Sequence, residues 1–109
     1  MLFEIIAVPR FAKDAKKLSK KYPSLKEELK QLVQSLERQP VQGKNLGNNC
    51  FKIRLAIRSK NSGKSGGARI VTYVAVLDSI VYLLCIYDKS EQDDIGDKEL
   101  QDILKGIDE

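Results

Sequence analysis

Lys52, Arg54 and Arg58 sit in Cys50-Phe51-Lys52-Ile53-Arg54-Leu55-Ala56-Ile57-Arg58, a stretch that alternates with period two. Side chains two apart on a strand share a face at roughly 7 Å spacing. The three cations therefore line one side, and Phe51, Ile53, Leu55 and Ile57 line the other, towards a core. Between Glu37 and Asp78 there is no Asp or Glu, while Arg38, Lys44, Lys52, Arg54, Arg58, Lys60, Lys64 and Arg69 supply eight positive charges. An ordinary surface of this composition intersperses both signs. The row reads as a cradle for a polyanion, nucleic acid or phosphate, ahead of a merely solvated sheet face.

Two further groups join the argument. Arg69 opens the strand after the next loop, so antiparallel pairing brings it beside Lys52 and Arg54. Tyr87 and Lys89 end an almost wholly apolar run. Period two puts Tyr87 on the side of Val81, Leu83 and Cys85, either as a core tyrosine with its hydroxyl at the rim or as a member of the cationic site.

The composition narrows the chemistry. Histidine is absent, which removes the usual proton shuttle and the commonest metal ligand. Cys50 and Cys85 lie in apolar strand-like runs with no signal-peptide pattern ahead of them, and read as reduced packing thiols of a cytosolic protein. No stretch approaches the length of a membrane span. Gly63-Lys64-Ser65 is not a phosphate-binding P-loop: Arg58 stands where the motif needs its first glycine, and a strand follows where it needs a helix. Glu91, Asp93, Asp94 and Asp97 match no calcium-loop spacing and read as negative charge at the start of a helix.

The elements that position these residues follow in order. Leu2–Val8 is a first strand, and Pro9 opens a helix with Phe11, Ala15 and Leu18 on its apolar face. Tyr22-Pro23 breaks it. Ser24 and Glu27 form a capping-box pair before a second helix, with Leu25, Leu29, Leu32, Val33 and Leu36 on one face, ending near Arg38. Val41–Asn49 reads as a loop. The cationic strand follows, then a mobile basic connection over Lys60–Gly67, strands over Ala68–Leu77 and Ile80–Tyr87, and a last helix carrying Leu100, Ile103, Leu104 and Ile107. The order β-α-α-β-β-β-α predicts one α+β domain over 1–109: a mainly antiparallel four-stranded sheet, a helical hairpin on one face and the cationic row on the other.

Cys-Phe-Lys-Ile-Arg-Leu at 50–55, Lys-Ser-Gly-Gly-Ala-Arg-Ile at 64–70 and Tyr-Leu-Leu-Cys-Ile-Tyr-Asp-Lys at 82–89, in this element order, resemble the RelE/ParE superfamily of bacterial toxins, nearest to the RelE/HigB-like messenger RNA interferases. The resemblance implies a RelE-like fold and a cytoplasmic endoribonuclease that cleaves messenger RNA in the ribosomal A site. It implies a cognate antitoxin encoded by an adjacent gene, contact with DNA only through the antitoxin complex, and no membrane.

The family's basic strand pair falls at Lys52 and Arg54, its strand-opening arginine at Arg69 and its later basic residue at Lys89, and the resemblance places all four in the catalytic set. Several RelE members place a catalytic tyrosine where this chain has Ile95, so the resemblance to HigB-like members points to Tyr87 instead. On this reading Arg54 and Arg69 clamp the phosphate, and Lys52, among other cations, is a candidate base. Lys44, Arg58, Lys60 and Lys64 are the expected RNA-backbone contacts. With no acid cluster near the basic face, neither metal nor cofactor is expected. A ParE-like gyrase inhibitor and a noncatalytic RNA-binding module are the alternatives.

Overall fold

The computed structural model describes residues 2–60, 63–92 and 94–107, with backbone alone at 64 and 65. Its elements are β1 (Glu4–Ala7), α1 (Pro9–Lys21), α2 (Leu25–Arg38), β2 (Lys44–Gly47), β3 (Cys50–Leu55), a 3-10 turn (Arg58–Lys60), the single turn α3 (Gly63–Gly66), β4 (Ala68–Ala75), a second 3-10 turn (Val76–Asp78), β5 (Ile80–Asp88) and α4 (Asp97–Lys105). Among the described residues the strands form one sheet in the order β1-β5-β4-β3-β2. The neighbours pair antiparallel except β1 and β5, which run parallel with Glu4 beside Ile80 and Ala7 beside Leu83. The α+β fold class holds. The sheet has five strands where four were expected, and it is mixed at the β1 edge.

The additional strand is β2, inside the stretch read as a loop. It is short and carries Gly and Asn, which hide a strand from pattern reading. Asn48 and Asn49 both have positive φ, 52° and 61°, the conformation of a tight two-residue hairpin turn. The Asn45 Oδ1 accepts a 2.7 Å hydrogen bond from the Gly47 N–H where the ladder slips between those residues.

The helices form as the apolar spacing predicts. Pro9 occupies the first turn of α1, and Phe11 and Leu18 are buried. In α2, Leu25, Leu32 and Leu36 are buried and Leu29 and Val33 partly so. These meet Phe51, Ile53, Ile57, Ile70, Val74, Val81, Leu83 and Ile86 in the larger core. Ser24 does not cap α2 with its side chain. Its hydroxyl instead donates to Glu28 Oε1 at 3.0 Å and accepts from the Ser59 N–H at 2.9 Å, tying the helix to the segment after β3.

The second sheet face is not left to solvent along its whole length. Cys50, Val71, Leu84, Cys85, Ile95 and Leu100 form a smaller core there, with Ile103, Leu104 and Ile107 packed against it. The terminal helix begins at Asp97, after Gly96.

Gly43 enters β2 with φ +93°, and a Cβ there would lie 2.2 Å from the Lys52 carbonyl oxygen. Both the backbone conformation and the close approach require glycine. Gly43→Ala is expected to lower unfolding free energy by about 2–3 kcal/mol through strain and overpacking. Urea denaturation measures this, and an unchanged midpoint would show that β2 does not approach β3 as closely as described.

Candidate functional site

Pairing across four strands assembles the site. On β3, Phe51 and Ile53 pack into the larger core, so Lys52 and Arg54 fall on the opposite face. The register sets Lys44 beside Lys52 and places Arg54 directly opposite Arg69, which is itself opposite Tyr87. Lys89 follows at the end of β5, where its N–H donates to the Gly67 carbonyl at 3.0 Å. A groove of about 570 Å³ results, lined by Gln42, Gly43, Lys44, Lys52, Ile53, Arg54, Arg69 and Lys89.

Tyr87 reaches this face through an irregularity that alternation alone does not reveal. Val71 pairs with Cys85 but Thr72 pairs with Leu83, so Leu84 is an extra residue, a β-bulge. Val81 and Leu83 face the helices, whereas Cys85 and Tyr87 face the other way. The expectation that all four share a side is corrected: one inserted residue reverses the parity of everything after it.

Arg69 is 5% exposed, and its guanidinium donates to its neighbour's carbonyl, Ala68 O, at 3.2 Å. Like charges placed directly opposite each other across a ladder are destabilising. An anion held between the Arg54 and Arg69 guanidinium groups would offset repulsion of this kind.

A carboxylate also bonds to Lys52, one of the groove residues, and sequence reasoning missed it. Asp94 lies before α4, and its Oδ1 accepts hydrogen bonds from Lys52 Nζ at 3.2 Å, Tyr87 Oη at 3.3 Å and the Ile95 N–H at 2.8 Å. The helix-start role expected of Asp94 does not describe it. The Ile95 N–H and Lys52 hold its carboxyl below the usual carboxylate range. Burial pushes the Tyr87 phenol well above its ordinary value, Asp94 pushes it further, and Arg69 pulls weakly the other way. Tyr87 is therefore a protonated donor at neutral pH. Lys52 is not surrounded by cations alone, as its candidacy for a base supposed. The available signal was the acidic run 91–97 itself, complementary to a basic face yet distant in sequence. Asp93 lies outside the described residues.

Two of the expected RNA contacts stand elsewhere. β3 ends at Leu55, so alternation stops before Arg58, which turns to the helix side. There the Arg58 N–H and Nε donate to the buried Glu28 Oε2 at 2.8 and 3.3 Å. Lys60 is bonded to Asp88 Oδ1 and to Ser90 Oγ, the latter at 3.2 Å. The Lys64 side chain lies outside the described residues. Lys44 is exposed at the groove.

Asp88 is 1% exposed and accepts from Tyr22 Oη at 2.7 Å, from Ser90 N–H and Oγ at 3.0 and 2.8 Å, and from Lys60. Burial alone would raise its pKa, but the hydrogen bonds from Lys60, Tyr22 and Ser90 outweigh it and hold the carboxyl well below the usual range. Cys50 and Cys85 are buried free thiols, and burial pushes Cys85 up to about 12. Among the described residues no group of three or more His, Cys, Asp or Glu could hold a metal, and no helix is long and apolar enough to cross a membrane.

Comparison with known proteins gives the family and agrees with the fold. The family model described as RelE toxin of RelE / RelB toxin-antitoxin system matches residues 9–107. No curated protein matches the chain by sequence. Among solved structures, an arginine-to-alanine double mutant of E. coli toxin RelE in the free state is similar at TM-score 0.65 and 21% identity, over 98% of this chain and 99% of that one. The toxin fold also recurs in the intact E. coli RelBE toxin–antitoxin complex, at TM-score 0.60 and 22% identity, over 79% and 95% of the two chains. The isolated E. coli RelE toxin aligns at TM-score 0.59 and 21% identity over 96% and 98%.

The Asp88 network makes a prediction about stability. Its folded pKa lies below its unfolded value, so its contribution is complete above the unfolded value of about 4 and is lost as pH falls towards the folded one. Asp88→Asn should flatten that acid-side loss in chemical denaturation. Lys60→Ala should cost about 2–3 kcal/mol at neutral pH, the loss of one charge-assisted bond, because Asp88 keeps Lys21 at 3.8 Å and its hydrogen bonds from Tyr22 and Ser90. An Lys60→Ala protein of wild-type stability would return Lys60 to the pool of free RNA contacts.

Proposed function

The chain belongs to the RelE family, the toxins of RelE/RelB toxin–antitoxin systems, and on that premise we propose that it is a cytoplasmic messenger RNA interferase. It cleaves messenger RNA in the ribosomal A site and is neutralised by a cognate antitoxin from an adjacent gene, through which alone it meets DNA. The observation that carries this reading is the juxtaposition of Lys52, Arg54, Arg69 and Lys89 around one groove, with Tyr87 opposite Arg69.

The chemistry is attack by a ribose 2′-hydroxyl on the adjacent phosphorus with departure of the 5′-oxygen. The products are a 2′,3′-cyclic phosphate and a 5′-hydroxyl. Arg54 and Arg69 hold the non-bridging oxygens and stabilise the added charge of the phosphorane. Lys52 takes the proton of the 2′-hydroxyl, and Tyr87 gives one to the leaving oxygen. Lys89 and Lys44 contact flanking phosphates, which adds affinity through counterion release. No step calls for a metal, because the cations of the groove already supply the positive charge that a metal would bring.

Induction of the protein alone should arrest growth and create new 5′ ends within coding regions, mapped by primer extension and dependent on translation. Arg69→Ala should lower the cleavage rate on programmed ribosomes by a hundredfold or more, the loss of about 3 kcal/mol of transition-state stabilisation. Double-strand DNA breaks with intact messengers would instead assign the fold to gyrase poisoning, and a folded Arg69→Ala protein of full activity would remove Arg69 from the site.

A further inference from the structure

Asp94 is not among the cationic groups that recognise phosphate, yet it is the residue that joins Lys52 to Tyr87. Both side chains donate to the same atom, Asp94 Oδ1, at 3.2 and 3.3 Å. That oxygen is fixed in turn by the Ile95 N–H at 2.8 Å. Lys52 is largely covered, at 17% side-chain exposure, so its ammonium is not simply collecting a passing surface charge. Tyr87 is buried at 7%.

We propose that Asp94 is a positioning residue for the cleavage reaction: it sets Lys52 and Tyr87 on one oxygen and serves as the bridge by which the proton balance of the site is restored. The proposal rests on the reading of the groove as an RNA-cleaving site. During cleavage Lys52 gains the 2′-hydroxyl proton and Tyr87 loses one to the 5′-oxygen, so the protein ends with lysine charged and tyrosine ionised. Asp94 Oδ1 touches both groups. A proton passed from the Lys52 ammonium to the carboxylate, and from the carboxyl to the tyrosinate, returns each group to its starting state without a net change. Three hydrogen bonds on one oxygen also restrict the rotamers of both long side chains, the kind of alignment on which rate depends steeply.

The charged and titratable groups facing Tyr87 are Asp94, Arg69 on β4 and Cys85 on β5, while Arg10, Asp14 and Lys17 of α1 line the cleft that Tyr87 also borders. Of these, Asp94 is the one hydrogen-bonded to the phenol among the bonds described.

Two measurements on the full-length protein test the proposal. Ultraviolet difference titration without RNA, with Tyr87→Phe as the blank, reads the ionisation of Tyr87. Asp94→Asn should move that midpoint down towards the ordinary tyrosine value of about 10, and an unmoved midpoint overturns the coupling. Single-turnover cleavage on programmed ribosomes at saturating protein should fall about a hundredfold in Asp94→Asn. Its alkaline limb should appear at lower pH than in the wild type, while affinity for a messenger methylated at the 2′-oxygen stays unchanged. Tighter RNA binding with an undiminished rate would make Asp94 a competitor for phosphate and overturn the positioning role. Weaker binding with an unchanged rate at saturation would make it a fold contact and overturn it equally. If the wild type cleaves no messenger while Asp94→Asn still shifts the titration, the interferase reading fails and the coupling stands.

Discussion

Strand β5 carries one residue more than β4 can pair with, and the placement of every functional group beyond it depends on that surplus. Before Leu84 the odd-numbered residues Val81 and Leu83 face the helices; after it, Ile86 and Asp88 do. The bulge therefore sends Tyr87 to the cationic face, opposite Arg69, and Asp88 to the helix side in one step. In a regular strand the two would exchange places, with a phenol under α1 and a carboxylate beside Arg69. A bulge also increases local twist, and such irregularities recur next to active sites for this reason.

The second organising influence is the way acids distant in sequence divide the cations of residues 38–77 between two tasks. Glu28 from α2 takes Arg58, and Asp88 from the end of β5 takes Lys60. Both partners are buried, so these pairs fix the segment after β3 against the helices and the exit of β5. Lys44, Lys52, Arg54 and Arg69 remain on the far side of the sheet with Lys89. Asp94 enters there from the connection before α4, more than half exposed, and a pair of that kind supports geometry more than stability. The basic field seen in the sequence is real in space only on one face.

The groove's central row was legible because strict alternation fixes a strand's two faces, and because an arginine at the head of the next antiparallel strand must come alongside. Lys52, Arg54 and Arg69 needed nothing more. What was not legible shares a physical cause: each case depends on a break in periodicity or on a long-range contact. β2 is too short and too rich in Gly and Asn to announce itself. The bulge at Leu84 lies inside an unbroken apolar run, where no polar residue marks the change of face. Arg58 keeps the spacing of a strand that has already ended. Lys60 and Asp94 are defined by partners 28 and 42 residues away along the chain, and local charge counting does not see those partners.

The parallel edge of the sheet ties the beginning of the chain to a strand made much later. β1 pairs with β5, and α1 and α2 pack on a sheet whose central members are β4 and β5. A nascent chain that has not yet reached residue 80 has two amphipathic helices with their apolar faces uncovered and an N-terminal strand without a neighbour. Contacts of such wide sequence separation close late, after the loop-entropy cost has been met. The groove is therefore complete only once β5 has been made, because Lys89, which follows that strand, is part of its lining.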